Sequence, residues 1–353
     1  MRKLTNILVT GGAGFIGSNF IRLFLTKKDF SGKIINLDKL TYAGNLENLK
    51  DLENDPRYSF IHGDICDSPK VNQVFSQYNI DTVVHFAAES HVDRSIHGPA
   101  PFIQTNILGP FTLLEAAKQN WKDSSDKLFH HISTDEVYGS LGPTGYFTEE
   151  TPYDPRSPYS ASKASSDHLV KAYFHTYQLP ITISNCSNNF GPYQFPEKLI
   201  PLTIINALDN RPIPVYGDGL NIRDWIYVDD HNEAVRLILQ KGRLGETYNI
   251  GGENELTNLA LVTKICELLN KNPKDLITFV SDRKGHDRRY AIDCIKLKKE
   301  LNWRIEKSFK ERLLYSLDWY LNNQKWTQNI SNGEYQRWLK TNYLNPLYSS
   351  QTN

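Results

Sequence analysis

Three things are scarce in this sequence, and each scarcity removes a class of function. The first is charge imbalance. Lysine plus arginine equals aspartate plus glutamate, 40 of each in 353 residues, so no overall field draws the chain to nucleic acid or to an anionic membrane. An anionic ligand must be met by a local cluster of cations. The second is cysteine. Cys66, Cys186, Cys266 and Cys294 lie far apart, with no Cys-x-x-Cys pair and no metal-ligand spacing. Isolated buried thiols, a reducing cytoplasm and no metal are the expectation. The third is apolar run length. Met1-Arg-Lys faintly resembles the start of an export signal, but only Ile7, Leu8 and Val9 follow before glycines intervene. No segment approaches the roughly 20 apolar residues of a membrane span. No repeat or low-complexity tract is present. A soluble chain with a large core and two lobes is expected.

What is present begins at that short apolar run. Ile7, Leu8 and Val9 suit a strand buried on both faces. Gly11, Gly12, Gly14 and Gly17 come next, with Phe15, Ile16, Phe20, Leu23 and Phe24 at helical spacing. Strand, glycine turn and helix in that order make a dinucleotide site. A side chain at Gly12 or Gly14 would hold a pyrophosphate away from the N–H groups at the helix start, and Gly17 lets the helix press on the strand. Both Gly12-x-Gly14-x-x-Gly17 and Gly11-x-x-Gly14-x-x-Gly17 fit. A second strand, Lys33–Asp38, ends in an acid about 20 residues past the glycines, where a carboxylate accepts the adenosine ribose hydroxyls and repels a 2′-phosphate. Asp38 favours NAD over NADP, whereas Lys39 beside it is a cation that would tolerate the phosphate.

Strands and helices go on alternating. Tyr58–His62, Thr82–Phe86, Leu128–Ser133 and Ile181–Asn185 read as strands, with one long helix over Pro99–Gln119 and another from Tyr159 to about Tyr177. This rhythm predicts a Rossmann-type α/β fold, a doubly wound parallel sheet with ligands outside the carboxyl ends of its strands. Polar residues stand at those ends: Glu89 to Ser95 after one strand, Thr134, Asp135 and Glu136 after another. From about Asn188 the texture shifts to prolines, aromatics and short segments. Helices are expected at about Asp230–Gln240, Leu259–Leu269, Ile295–Leu301 and Phe309–Leu321. The expected division is an NAD-binding domain over 1–187, rejoined by 224–250, and a smaller carboxyl-terminal substrate-binding lobe from 188–223 and 251–340. The tail from Tyr348 is expected to fray.

Tyr159 and Lys163 form the one Tyr-x-x-x-Lys pair in the chain. Positions four apart share a helix face, so the ammonium can sit below the phenol. A free phenol ionises near pH ~10. A neighbouring lysine and a positive nicotinamide both favour phenolate and make Tyr159 a usable base. With the glycine turn and Asp38, this pair resembles the extended short-chain dehydrogenase/reductase superfamily. Within it, the blocks at 87–96 (AAESHVDRSI), 133–139 (STDEVYG), 187–201 (SNNFGPYQFPEKLIP) and 285–293 (GHDRRYAID) resemble the dTDP-glucose 4,6-dehydratase family. The likeness runs from about residue 4 to residue 320. Epimerases of the superfamily usually lack two adjacent acids after the fifth strand.

The resemblance implies an activity and the residues for it. Tyr159 would deprotonate the sugar C4 hydroxyl as hydride passes to NAD. Glu136 would take the C5 proton, Asp135 would protonate the departing C6 hydroxyl, and hydride would return to C6. Thr134 would hydrogen-bond the C4 oxygen. The scheme needs one ionised and one protonated carboxyl, which adjacent acids in unequal surroundings supply. By the same resemblance Gly11, Gly14, Phe15, Ile16, Gly17, Asp38, Lys39, Thr41, Asp64, Ile65, Ala87, Ala88, Ser90, Thr105 and Asn189 contact the cofactor, with Tyr159 and Lys163. Dinucleotide aside, the sugar nucleotide would meet Ser90, Thr134, Asn188, Lys198, Leu199, Pro214, Tyr216, Arg223, Asn258, Arg283, His286, Asp287 and Tyr290. Lys198, Arg223 and Arg283 are the local cations a diphosphate needs. A homodimer through the helices at Pro99–Gln119 and Tyr159–Tyr177 is implied as well, with Ala161, Ala164, Ala172 and Phe174 placing small or apolar residues on more than one face. The alternatives are a UDP-glucose 4,6-dehydratase or a nucleotide-sugar 4-epimerase of the same fold. A non-catalytic NAD sensor would have no need of Tyr159, Lys163 or the acid pair.

Overall fold

The computed structural model describes residues 1–28, 30–121 and 126–330. Residues 331–340 of the expected lobe and the tail from Tyr348 lie outside that range. The strands in chain order are β1 (Asn6–Thr10), β2 (Lys33–Asp38), β3 (Tyr58–His62), β4 (Thr82–His85), β5 (Leu128–Thr134), β6 (Ile181–Cys186), β7 (Asn188–Phe190), β8 (Ile213–Tyr216), β9 (Ile222–Tyr227), β10 (Thr247–Ile250), β11 (Glu255–Thr257) and β12 (Ile277–Val280). The helices are α1 (Phe15–Thr26), α2 (Ser68–Tyr78), α3 (Val92–His97), α4 (Ala100–Ile103), α5 (Gly109–Asn120), α6 (Pro158–Tyr177), α7 (Leu199–Leu208), α8 (Val228–Lys241), α9 (Asn258–Leu268), α10 (Pro273–Leu276), α11 (Ile295–Leu301), α12 (Phe309–Asn322) and α13 (Gln324–Ile330).

Seven strands form one sheet in the order β10-β6-β5-β4-β1-β2-β3, and every neighbouring pair is parallel. The side-chain alternation of β1 explains its unbroken apolar run. Ile7 and Val9 enter a core with Phe20 and Phe24 of α1, Val235 and Ile238 of α8, and Leu297 and Leu301 of α11. Leu8 enters the opposite core with Val71 and Phe75 of α2, Leu113 of α5 and Val170 of α6. A strand covered by helices on both faces has no polar side to show. The chain order reverses between β1 and β4, which opens a crevice there at the carboxyl ends of the strands.

The smaller lobe has a core of its own, with Phe190, Ile200, Ile204, Trp225, Leu261, Leu313 and Tyr320. It carries the three-stranded sheet β11-β9-β7 and the pair β12-β8. Three features differ from the sequence expectation. The stretch from Asp224 to Tyr227 does not return to the main sheet, because β9 pairs with β7 and β11. The return begins with α8 and ends in β10. Helix α11, assigned by sequence to the lobe, packs on α8 and β10 through the main core. The long helix expected over Pro99–Gln119 is broken, since α4 passes through a wide π-type turn at Gln104–Leu108 before α5 begins. Pro110 has no N–H to close a regular turn there. Among the described residues no helix is long and apolar enough to cross a membrane, and no cluster of three metal-ligating side chains exists.

Helix α13 is tied to the far end of the molecule. The Trp326 indole N–H donates to Asn48 Oδ1 at 2.8 Å, and Asn48 Nδ2 donates to the carbonyl of Ala13 in the glycine turn at 2.9 Å. The ring packs against Trp319, 5.0 Å between centroids. Replacing Trp326 by Ala empties this site and unpairs Asn48, so stability should fall by about 3–5 kcal/mol, the usual cost of such a truncation. Thermal or urea unfolding of the variant checks it.

Candidate active site

The glycine turn meets its neighbours at backbone distance. Gly11 has φ +71°, a conformation that side chains rarely adopt, and a Cβ there would stand 2.6 Å from the Ala87 nitrogen. A Cβ on Gly17 would stand 2.4 Å from the Gly11 carbonyl oxygen, so α1 can start this close to β1 only with glycine at that position. Gly11, Gly14 and Gly17 line a cleft of about 310 Å³. Gly12 does not: a side chain there would strike Asn36 and Ile21 in the interior. The wider Gly11-x-x-Gly14-x-x-Gly17 pattern is therefore the one that faces the cleft, and the role expected of Gly12 belongs to packing. Gly14 caps α1 without a side-chain hydrogen bond, and no acid occupies the first turn. The N–H groups of that turn remain available to an anion.

Asp38 closes the cleft at the end of β2. Its Oδ2 accepts from the Ala13 N–H at 2.9 Å and its Oδ1 from the Leu40 N–H at 2.8 Å, which leaves lone pairs on both oxygens for further donors. Lys39, the cation beside it, is turned to Asp64 at 2.6 Å. Phe15, Ile16, Thr41, Ile65, Ala87, Ala88, Ser90, Thr105 and Asn189 line the same cleft, as do Thr134, Asp135, Glu136, Tyr159 and Lys163. The π-type turn before α5 gives Thr105 its place. Asn106 in that turn anchors the loop after β4, with Oδ1 on the Glu89 N–H and Nδ2 on the Glu89 carbonyl, both at 2.9 Å. A cradle that admits no Cβ at Gly11 or Gly17, an open helix start and a free-faced Asp38 fit an adenine dinucleotide.

The reacting side chains come from two places. β5 ends at Thr134, whose hydroxyl accepts from the Glu136 N–H at 3.3 Å and starts the single turn that holds Asp135 and Glu136. Helix α6 begins with Ser157 and Ser160 in a reciprocal cap and Pro158 in the first turn. That start sets Tyr159 one residue inside the helix and Lys163 one turn later. The two acids are in unequal surroundings. Burial, then Glu136 and Asp224, push the Asp135 carboxyl well above the usual range. Burial raises Glu136 as well, but Arg283, Arg223 and Lys198 pull it back. Asp135 holds a proton more readily than Glu136. Burial pushes the Tyr159 phenol well up, with Glu136 and Cys186 adding to it and the Thr134 hydroxyl opposing. The Lys163 ammonium donates to the Ile132 carbonyl at 2.7 Å, because a buried ammonium needs an acceptor and the end of β5 supplies one.

A second cavity of about 170 Å³ opens from the first, with Ser90, Glu136, Asn188, Asn189 and Lys198 shared between them. Leu199, Pro214, Tyr216, Arg223, Asn258, Arg283, His286 and Tyr290 line it. Asp287 does not line either cavity. It holds the wall instead: Tyr290 donates to its carboxylate at 2.6 Å and Arg223 to its carbonyl at 2.9 Å, with the Arg223 guanidinium 4.3 Å from the Tyr290 ring centre. Burial, then Arg283, push His286 down to about 4, opposed by Asp282, whose carboxylate lies 2.6 Å from the ring nitrogen. Sequence reasoning missed Asp93 and Glu197. Asp93 accepts from Tyr216 at 3.0 Å and Glu197 accepts from Tyr42 at 3.0 Å. Both stand inside the sequence blocks that carried the family resemblance, and Asp93 also in the polar run after β4 that the sequence singled out.

Comparison with known proteins agrees with this geometry. The GDP-mannose 4,6 dehydratase family model matches residues 8–314. The dTDP-glucose 4,6-dehydratase of Salmonella typhimurium is 52% identical, over 96% of this chain and 98% of its own. The chain belongs to the dTDP-glucose 4,6-dehydratase family. Two crystal structures of family members superpose closely. That from Bacillus anthracis, in complex with NAD, has TM-score 0.86 and 49% identity, covering 92% of this chain and 99% of its own. That from Streptomyces venezuelae, with NAD and TYD bound, has TM-score 0.87 and 46% identity, covering 92% and 100%.

The glycine contact yields a test. Gly17→Ala forces α1 away from β1 and from the cofactor cleft, so NAD affinity should fall at least 10-fold while stability drops by about 1–3 kcal/mol, as overpacking does. Fluorescence titration with NAD and a melting curve measure the two effects.

Proposed function

We propose that this chain dehydrates dTDP-glucose to dTDP-4-keto-6-deoxy-glucose, with NAD as a cofactor that is not consumed. The observation that carries this reading is the acid pair. Asp135 and Glu136 share one cleft with Tyr159, and their surroundings pull their carboxyls apart. A 4-epimerase leaves the C5 proton and the C6 hydroxyl in place and needs no such acid pair.

The residues divide the work by position. NAD, when bound, takes up the C4 hydride and later delivers it to C6. Tyr159 accepts the C4 hydroxyl proton while Thr134 hydrogen-bonds that oxygen. The resulting C4 ketone acidifies the C5 proton, which the ionised Glu136 removes as general base. Asp135, kept protonated by burial and by its neighbours, gives its proton to the departing C6 oxygen, so that water leaves. Return of the hydride to C6 and of a proton to C5 completes the 4-keto-6-deoxy sugar. Lys198, Arg223 and Arg283 meet the diphosphate. Gly11, Gly14 and Gly17 admit the dinucleotide phosphates, and Asp38 receives the adenosine ribose.

Replacing Glu136 by Gln keeps shape and removes the base. Oxidation at C4 should survive and elimination should slow by roughly 10²–10⁴-fold, the usual worth of a positioned base. With one equivalent of dTDP-glucose the variant should hold the absorbance of reduced nicotinamide and yield no mass loss of water. Dehydration at the wild-type rate would remove Glu136 from its role. Parallel assays with UDP-glucose separate the two nucleotide readings.

The working form is proposed to be a cytoplasmic homodimer. Ile103, Leu108 and Phe111 expose 46%, 45% and 44% of their surface on α4, the π-type turn and α5, and Ala161 and Ala172 are exposed on α6. Ala164 and Phe174, assigned by sequence to this face, pack instead against the protomer's own cores. Two copies meeting through α5 and α6 would cover the exposed set. Light scattering at micromolar concentration should give a dimer, and Phe111→Glu a monomer; a monomeric wild type would refute the assembly.

A further inference from the structure

Helix α6 carries a third buried polar residue on the face of Tyr159 and Lys163. Asp167 follows Lys163 by one turn and has 0% of its surface exposed; Lys163 has 4%. The Asp167 Oδ2 accepts from the Ser133 hydroxyl at 2.8 Å, next to the Thr134-Asp135-Glu136 run. Its Oδ1 has no hydrogen-bond donor of good geometry and stands 3.3 Å from His131 Nε2. That same nitrogen is 3.4 Å from Lys163 Nζ. The Ser166 hydroxyl spends its proton on the Lys163 carbonyl at 2.7 Å, so toward His131 Nε2, at 3.1 Å, it presents an oxygen. His131 Nε2 thus stands among an ammonium, a carboxylate oxygen and a hydroxyl oxygen. The ring is neutral, held below its ordinary value by burial and by Lys163. One cation and one anion then lie buried beneath the cleft, with a neutral ring between them.

We infer that Asp167 is the counter-ion that keeps Lys163 an ammonium, a positioning residue that acts on the reaction through Lys163. A buried charge without a partner is expelled by protonation or deprotonation. Burial brings Lys163 down to about 8 and Asp167 is the first group opposing that fall. Burial raises Asp167 to about 6 and Lys163 is the first group opposing that rise. Between those values the pair is ammonium and carboxylate. The other groups facing the pair do not change charge there. His131 and His85 are neutral, pushed down by burial. Burial pushes Cys186 up to about 12 and also raises Tyr153. Lys171 is the remaining cation acting on Asp167.

This rests on the proposed dehydratase reading, and the test separates the two. The first measurement is the pH profile of C4 oxidation, followed by reduced-nicotinamide absorbance on mixing the holoenzyme with dTDP-glucose. An ammonium at Lys163 favours the Tyr159 phenolate that takes the C4 hydroxyl proton, so the rate falls as pH rises through the Lys163 titration. Asp167→Asn removes the anion and moves that alkaline limb at least one pH unit lower, which is a tenfold loss at the upper end of the profile. Asp167→Glu keeps the charge and restores the limb toward that of the wild type, with KM for dTDP-glucose within about 3-fold throughout. A rate lowered equally at every pH would mean a structural role only and would overturn the inference. No oxidation by the wild type would overturn the dehydratase reading and the inference with it. The second measurement is a melting-temperature cycle without substrate. Lys163→Met and Asp167→Asn each strand one buried partner and lower the melting temperature; the double variant recovers part of the loss. Additive losses would refute the pairing, and if Asp167→Asn alone does not fold, a double variant that folds supports it while one that also fails to fold refutes it.

Discussion

The approach on which the cleft depends, and which permits no side chain, is that of Gly17 to the Gly11 carbonyl. There the first helix begins against the end of the first strand with no side chain between them. Everything that makes the cleft useful follows from that approach. It brings the open N–H groups of α1 to the crevice where the sheet order reverses, and it places Asp38 and the loop after β4 on either side. The contact is buttressed from a distance: Ala13 accepts from Asn48, and Asn48 is held by Trp326 at the other end of the chain. A local glycine pattern thus depends on a contact almost 300 residues away in sequence.

The second constraint is loss of water. The site is built at the ends of strands buried on both faces, so its charges are held in a medium that disfavours them. Asp135, Glu136, Tyr159, Lys163 and Asp167 are all displaced from their ordinary titration by burial first and by neighbours second. The direction is the same for both acids; Glu136 and Asp224 add to the rise at Asp135, whereas Arg283, Arg223 and Lys198 of the smaller lobe oppose it at Glu136. Chemistry that needs one carboxylic acid and one carboxylate therefore requires both lobes. Arg223 arrives on β9, which remains in the lobe sheet, while α8 and β10 take the chain back to the main sheet.

What the sequence determined by itself was whatever depends on near neighbours in the chain. The apolar run before the glycines, the alternation of strands and helices, the acid ending β2 and the Tyr159–Lys163 spacing are all short-range, and a side chain's period or a backbone's freedom is legible at that range. Helices α8, α9, α11 and α12 appear within about two residues of where their apolar spacing put them. The family blocks likewise named residues of the second cavity.

Tertiary structure decided the rest, because charge state and side-chain direction depend on what packs from elsewhere. Spacing put Lys163 on the Tyr159 face of its helix, but only the fold supplied the β5 carbonyl that takes one of its protons. Gly12 sat in one reading of the phosphate turn, yet Asn36 and Ile21 fill the space beside it. Asp287 stood within a family block, yet it braces Arg223 and Tyr290 from behind the cavity wall. Asp167 had no signal in the sequence at all, since a carboxylate four residues past a lysine on a solvated helix is an ordinary surface pair. Burial under β5 leaves Lys163 as the first cation it answers, ahead of Lys171, and burial is a property of the folded chain alone.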